Sequence, residues 1–264
     1  MDLGIRGKVA LVIGGSRGIG RGVANALAAE GCKLVVASIT PASVEKAVTD
    51  MKAAGADVIG IAADCTTKAG IEHVVGEATR QVGAPDIVVF NVDSGPKGAF
   101  LDIDDETFAA AHNNNLMAFM WMVRAILPHM QENRWGRILT IGTNSVKQPH
   151  RKLPRAAQNT YRVGALALCK SISAEIGQWN ITINTLGTGA IATEQLKSVF
   201  GGTVASDGLA YEAWAKERSA EIPMRRIGTP EDMGAAAAFL CSDVAGYITG
   251  QVLLIDGGLI EALQ

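Results

Sequence analysis

Three glycines, Gly14, Gly18 and Gly20, stand in a G-x-x-x-G-x-G spacing inside VALVIGGSRGIGRGVANALAAEG. Glycines spaced this way between a strand and a helix permit a tight turn and the close approach of a pyrophosphate, whose charge then faces unpaired N–H groups at the helix N-terminus. A turn used only for packing would have the same composition. Here a strand precedes it, a helix follows and a second strand, KLVVAS, comes next, which together favour nucleotide binding. Ser16, Arg17 and Ile19, between the glycines, belong to the same candidate cradle. The end of the second strand bears on which dinucleotide binds. A carboxylate there would hold a ribose 2′-hydroxyl and repel a 2′-phosphate, but the chain has Ser38, then Ile39 and Thr40. Arg17 and the hydroxyls of Ser38 and Thr40 could meet a phosphate. This favours NADP(H) and leaves NAD(H) open; a solvated surface role for Arg17 is the plainer alternative.

The elements needed to hold such a turn are written along the chain. Short β-branched runs (VALVIG, KLVVAS, DVIGIAA, DIVVFN, GRILTIG, ITINTLG and QVLLID) alternate with helix patterns at residues 18–30, 42–54, 68–81, 104–133, 155–178 and 230–240. Continuous apolar strands separated by helices indicate a parallel sheet covered on both faces. The expected fold is α/β: a Rossmann-type, doubly wound, seven-stranded parallel sheet. No repeat or Pro/Gly-rich linker divides it, so residues 1–264 are expected to form one domain. Its least regular stretch, residues 194–223, carries Phe200, Tyr211 and Trp214 and reads as a substrate lid over a bulky apolar substrate, or equally as a packed helical insertion.

Composition narrows the function classes. Of 264 residues 48% are hydrophobic, and the net charge is −2 with both signs interspersed, so nothing points to nucleic acid or a membrane surface. Cys32, Cys65, Cys169 and Cys241 are dispersed without a Cys-x-x-Cys pair, which argues against a disulfide framework or a metal site. No apolar run reaches membrane-spanning length, and the expected location is cytoplasmic.

From GKVALVIGGSRGIG to YITGQVLLIDGG, nearly its whole length, the chain resembles the short-chain dehydrogenase/reductase family. The resemblance implies that Asp64, with Cys65 beside it, contacts adenine. It places Asn91 in the family's Asn-Asn-Ala-Gly turn, and sets Gly189, Ile191 and Thr193 against the nicotinamide. Departures are Ile13 for the usual Thr, Phe90, Val92 and Asp93 around Asn91, and Thr188 for a Pro.

In the family a Tyr transfers the proton, a Lys four residues later holds the ribose and lowers the phenol's pKa, a Ser polarises the carbonyl and an Asn maintains a water relay. The chemistry requires this: hydride transfer to a carbonyl leaves an alkoxide that needs a proton donor within hydrogen-bond reach. Tyr161 in PRAAQNTYRVGALALCKSISAE is the tempting match, but Ala165 follows it at four residues. The family interval counted back from Asn184 lands on Gln158, with Arg162 four further on. Moving the helix by three residues would rotate its buried face by about 60°, so the second register is preferred. Gln158 then stands for the Tyr and Arg162 for the Lys. A carboxamide has no titration near neutral pH and a guanidinium stays protonated. Arg162 could still bind ribose.

Tyr161 is either a substitute donor or a core aromatic. The Ser position is Thr143 by strand alignment and Ser145 by spacing, and Asn115 matches the family's Asn. His112 reads as an interior His. Asp93 either functions in the cofactor turn or caps the next segment. Lys147, His150, Arg151, Lys152 and Arg155 form a solvated basic loop or a site for an anionic substrate tail. SVKQP together with the Arg resembles a variant group of acyl-carrier-protein-reductase-like members. The expected function is an NAD(P)(H)-dependent oxidoreductase interconverting a ketone and a secondary alcohol, with the proton from Tyr161, from water held by Asn115, or from the substrate. The alternative is a non-redox nucleotide sensor, scaffold or isomerase-type enzyme. The family further implies a homotetramer or homodimer and a small-molecule carbonyl or alcohol substrate.

Overall fold

The computed structural model describes residues 1–92, 95, 98–149, 155–194, 196–197 and 209–262. The strands are β1 (Val9–Ile13), β2 (Lys33–Ser38), β3 (Val58–Ala62), β4 (Ile87–Phe90), β5 (Gly136–Thr143), β6 (Ile181–Thr188) and β7 (Val252–Ile255). They form one parallel sheet in the order β3-β2-β1-β4-β5-β6-β7. The helices are α1 (Gly18–Ala29), α2 (Pro41–Ala53), α3 (Lys68–Gln81), α4 (Asp105–His112), α5 (Ala118–Glu132), α6 (Ala156–Ile176), α7 (Leu209–Glu221) and α8 (Pro230–Leu240).

The alternation of side chains along a strand explains why both faces are covered. Leu11 and Ile13 of β1 enter a core with Val74 of α3, Met122 of α5 and Cys169 of α6. Ala10 and Val12 enter the opposite core with Leu27 of α1 and Met233 and Ala237 of α8. Each fully buried Val, Leu or Met there contributes about 1.5–3 kcal/mol, which makes β1 the fixed axis of the molecule. The chain leaves β1 toward β2 and β3, then returns to build β4 to β7 on the other side. This reversal opens a crevice beyond the C-terminal ends of β1 and β4, where open α/β sheets bind ligands.

Two local features differ from the sequence expectation. The helix expected over residues 104–133 is three pieces: α4, a π turn at Asn113–Met117, and α5. Three consecutive asparagines are poor helix formers, and π turns inside helices concentrate at functional sites. Within the expected lid, residues 195 and 198–208, Phe200 included, lie outside the described residues; α7 forms most of its described part, with the Tyr211 and Trp214 ring centroids 5.8 Å apart.

α8 is started by a reciprocal cap. Thr229 Oγ accepts from the Asp232 N–H, and the Asp232 carboxylate accepts from the Thr229 N–H at 2.8 Å. Arg226 grips the same carboxylate at 2.6 and 2.8 Å. These bonds, the Arg226 one foremost, hold the Asp232 carboxyl down at about 2. Just upstream, Gly228 exchanges backbone bonds with Ala190 and Ala192 and bridges Ile191. The capped start of α8 thus fixes the segment after β6.

Candidate active site

The glycine turn is held between two strands. Gly14 N–H donates to Ala37 O at 2.7 Å, and Asn91 Nδ2 donates to Gly14 O at 3.2 Å. Gly14 has φ +69°, and a Cβ added there would lie 1.8 Å from Asn91 O. A Cβ on Gly20 would come within 2.1 Å of Gly14 O. Gly18, at φ +55°, faces Thr193, whose Cγ2 would lie 3.3 Å from an added Cβ. Arg17 is exposed and precedes α1 in extended conformation, with no side chain capping the helix. The first-turn N–H groups of α1 are therefore left for an anion. A cradle that any side chain would fill, under an uncapped helix start, fits a dinucleotide pyrophosphate.

Around this cradle, Ser16 Oγ donates to Ser38 Oγ at 2.9 Å, so two hydroxyls meet where a carboxylate would exclude a 2′-phosphate. Ile39 is 65% exposed beside them. The Asp64 carboxylate accepts from Thr66 N–H and Oγ at 3.0 and 2.7 Å, which stiffens the turn after β3. Cys65 is buried behind it, its thiol pushed up to about 12 mainly by that burial, and Cys32, Cys169 and Cys241 are likewise buried and free. Gly189 lies against the β7 end: a Cβ there would be 2.6 Å from Asp256 Cα. Ile191 is buried in the core next to α1 and α8, while Thr193 sits over the turn. Asp93, His150, Arg151 and Lys152 lie outside the described residues; Lys147 is exposed.

The chemical residues fall into two groups. Asn115, in the π turn, is 7% exposed and donates Nδ2 to Ala111 O at 2.7 Å. Arg162, on α6, lines a cavity with Asn115, Thr140, Thr185, Phe90 and Val92. Its volume for water centres, about 20 Å³, suits one water molecule. Thr143 and Ser145 are both buried at the end of β5; Thr143 Oγ accepts from the Ser145 N–H at 3.2 Å and so caps the turn. Gln158 is 2% exposed, and its Nε2 donates to Gly95 O at 2.7 Å.

Tyr161 turns the other way. Its ring packs on Phe108 and His112 of α4, with centroids 5.3 and 5.0 Å apart. Successive residues on a helix differ in direction by about 100°, which turns Tyr161 away from the side that Arg162 presents to the cavity. The tie from Gln158 to Gly95 was invisible in the sequence, because Gly95 has no local signal. The hydroxyl pair of Ser16 and Ser38 could have been suspected only by placing the ends of β1 and β2 side by side.

Residues 13–260 match the family model described as enoyl-(acyl carrier protein) reductase. The 3-oxoacyl-[acyl-carrier-protein] reductase of Escherichia coli (strain K12) is 32% identical over 257 residues, covering 97% of this chain and 99% of the relative. The chain belongs to the short-chain dehydrogenase/reductase family of oxidoreductases. The 7alpha-hydroxysteroid dehydrogenase of the same organism is 28% identical over 263 residues, with 100% and 98% covered. Among solved structures, an L-sorbose reductase from Gluconobacter frateurii, complexed with NADPH and L-sorbose, superposes with a TM-score of 0.93 over the full length of both chains at 27% identity. Family membership agrees with the glycine cradle and with the crevice at the sheet's reversal. Among the described residues, no helix is long and apolar enough to cross a membrane, and no cluster of three or more His, Cys, Asp or Glu could hold a metal ion.

Proposed function

We propose that the chain is an NADP(H)-dependent oxidoreductase interconverting a ketone and a secondary alcohol, with a proton source other than the family's Tyr. The observation that carries this reading is the contrast between two positions on α6. Arg162 lines the cavity beside Asn115, whereas Gln158, one turn earlier, is buried with its amide on Gly95. The cofactor-side cation is kept and the titrating group is not.

Bound nicotinamide would supply or accept the hydride. Arg162 would hold ribose hydroxyls and stabilise negative charge near them, always protonated. Gly14, Gly18, Gly20 and the start of α1 would hold the pyrophosphate. Ser16, Ser38, Arg17 and Thr40 would meet the 2′-phosphate, and Asp64 the adenine. Because Thr143 Oγ caps the turn, the Ser145 hydroxyl is assigned to the substrate oxygen. The proton is assigned to water in the cavity between Asn115 and Arg162; Tyr161, packed on α4, is assigned a structural role. The aromatic pair Tyr211 and Trp214 supports a bulky apolar portion in the substrate. Exposed Tyr247, Val244 and Leu253 support a homotetramer or homodimer; a cytoplasmic location belongs to the same reading.

A second reading, a non-redox nucleotide sensor, scaffold or isomerase-type enzyme, is favoured by the non-titrating Gln158 alone. Stopped-flow absorbance of NADPH against a panel of ketones separates the two. Oxidation of NADPH by any member supports the reductase; tight NADPH binding with no oxidation across the panel supports the second reading. Within the first, Asn115→Ala should lower kcat by about 100-fold and Tyr161→Phe should leave it within about twofold.

A further inference from the structure

The N-terminal end of α6 holds a cation that the proposed reaction does not use. Arg155 is the residue before the first turn, half-buried, and its Nε is shut off from solvent without a hydrogen-bond partner. Among the described residues no carboxylate pairs with its guanidinium, whose pKa is lowered by burial alone. The other buried arginine shows what a purely structural guanidinium looks like. Arg137 donates to the carbonyls of Ser242, Gly136 and Asn180 at 2.9 to 3.0 Å and reaches Asp243. A buried donor left unpaired loses its hydration with nothing in return, the more so when charged, so Arg155 stands out.

A second orphan lies one turn on. Asn159 Oδ1 is buried and also lacks a partner. Arg155, Gln158, Asn159 and Arg162 recur at i, i+3, i+4 and i+7, which puts them on one face of the helix. That face is the one toward the site, because Arg162 lines the cavity and Gln158 reaches Gly95. The backbone is fixed there too: Arg155 bridges Gly98, so the loop after β4 is attached to α6 at both residues.

We infer that Arg155 is the receptor for a carboxylate on the substrate, so that the substrate class is a keto acid or its hydroxy-acid counterpart. This rests on the reductase reading for the word substrate, but not for the anion site itself. The carboxylate would take the terminal N–H groups of the half-buried guanidinium as a pair, a bidentate geometry that Arg offers to carboxylates. The ketone would lie further along the same face, toward Ser145 and Arg162.

The test uses the full chain saturated with NADPH and a matched pair of ligands, 4-oxo-4-phenylbutanoate and its methyl ester, which differ in the carboxylate. Calorimetry should show the acid binding at least about tenfold more tightly than the ester, and Arg155→Gln should abolish that difference while thermal melting and NADPH affinity stay unchanged. Arg155→Lys, which keeps the charge but not the fork, should retain a smaller preference. Equal binding of acid and ester, no binding of either, or a preference that survives in Arg155→Gln would overturn the inference. NADPH oxidation is read separately: a carboxylate preference without turnover would leave the anion site standing and remove the reductase reading.

Discussion

Gln158 Nε2 lies 2.7 Å from Gly95 O, tying the first turn of α6 to the loop after β4 across 63 residues of sequence. The family resemblance sets this residue at the proton donor's position, yet here its amide is a structural link between two walls of the crevice. Gln158→Leu keeps the volume and removes the donor. It should lower stability to urea by about 1 kcal/mol, since one net hydrogen bond is lost, and it should weaken NADPH binding by loosening the loop that follows Asn91. Equal midpoints for the two proteins would remove the tie from the account.

The glycine turn makes a sharper demand. Gly14→Ala would place a methyl 1.8 Å from Asn91 O on a backbone with φ +69°. The conformation alone costs about 1–3 kcal/mol for a residue with a side chain. Fluorescence titration with NADPH should show binding reduced by more than tenfold, with a lowered melting temperature.

Cofactor choice should turn on Ser38. Its hydroxyl meets that of Ser16, and Ser38→Asp would put a carboxylate where the 2′-phosphate is proposed to lie. Like charges at that distance are worth more than about 1 kcal/mol even near water. The ratio of NADPH to NADH affinity should fall by at least about tenfold; an unchanged ratio would mean that the phosphate lies elsewhere.

The two buried hydroxyls at the end of β5 can be told apart. Ser145→Ala should lower kcat by about 100-fold with little change in melting, as expected of a lost donor to a developing oxyanion. Thr143→Val removes the acceptor for the Ser145 N–H, so its main effect should be on stability.

Acid should act through α8. The Asp232 carboxyl is held at about 2 against an ordinary value of 3.8 by Arg226 and the Thr229 backbone. A depressed carboxyl contributes stability that is present above its unfolded value and is lost as the pH falls through the folded one. Melting curves between pH 5 and 2 should therefore fall less steeply for Asp232→Asn than for the parent chain. The loss should reach the segment at Ile191, because Gly228 bridges it.

How much of this was legible depended on distance along the chain. The seven strands, the helices between them and the tight turn of Gly14, Gly18 and Gly20 were readable because apolar runs and glycines act on their immediate neighbours. The π turn was half-legible: the run Asn113 to Asn115 marks a weak helix, but nothing in the run says that the backbone widens to a π turn there and not to a bend or break. Tyr161 illustrates the limit. Its residue type invites a chemical role, and its direction, toward Phe108 and His112, follows from the register of α6 against α4.

The sequence by itself determined the doubly wound sheet, the tight glycine turn between β1 and α1 and the absence of a titrating side chain at position 158, all properties of residue type and local spacing. Tertiary structure decided what those residues do: that Gln158 ties down Gly95, that Asn115 and Arg162 share a water-sized cavity, and that the Nε of half-buried Arg155 is shut in without a hydrogen-bond partner. Each of these depends on segments far apart in the chain being brought within a hydrogen bond's reach. The burial of two apolar cores on β1 accomplishes this, and no local pattern records it.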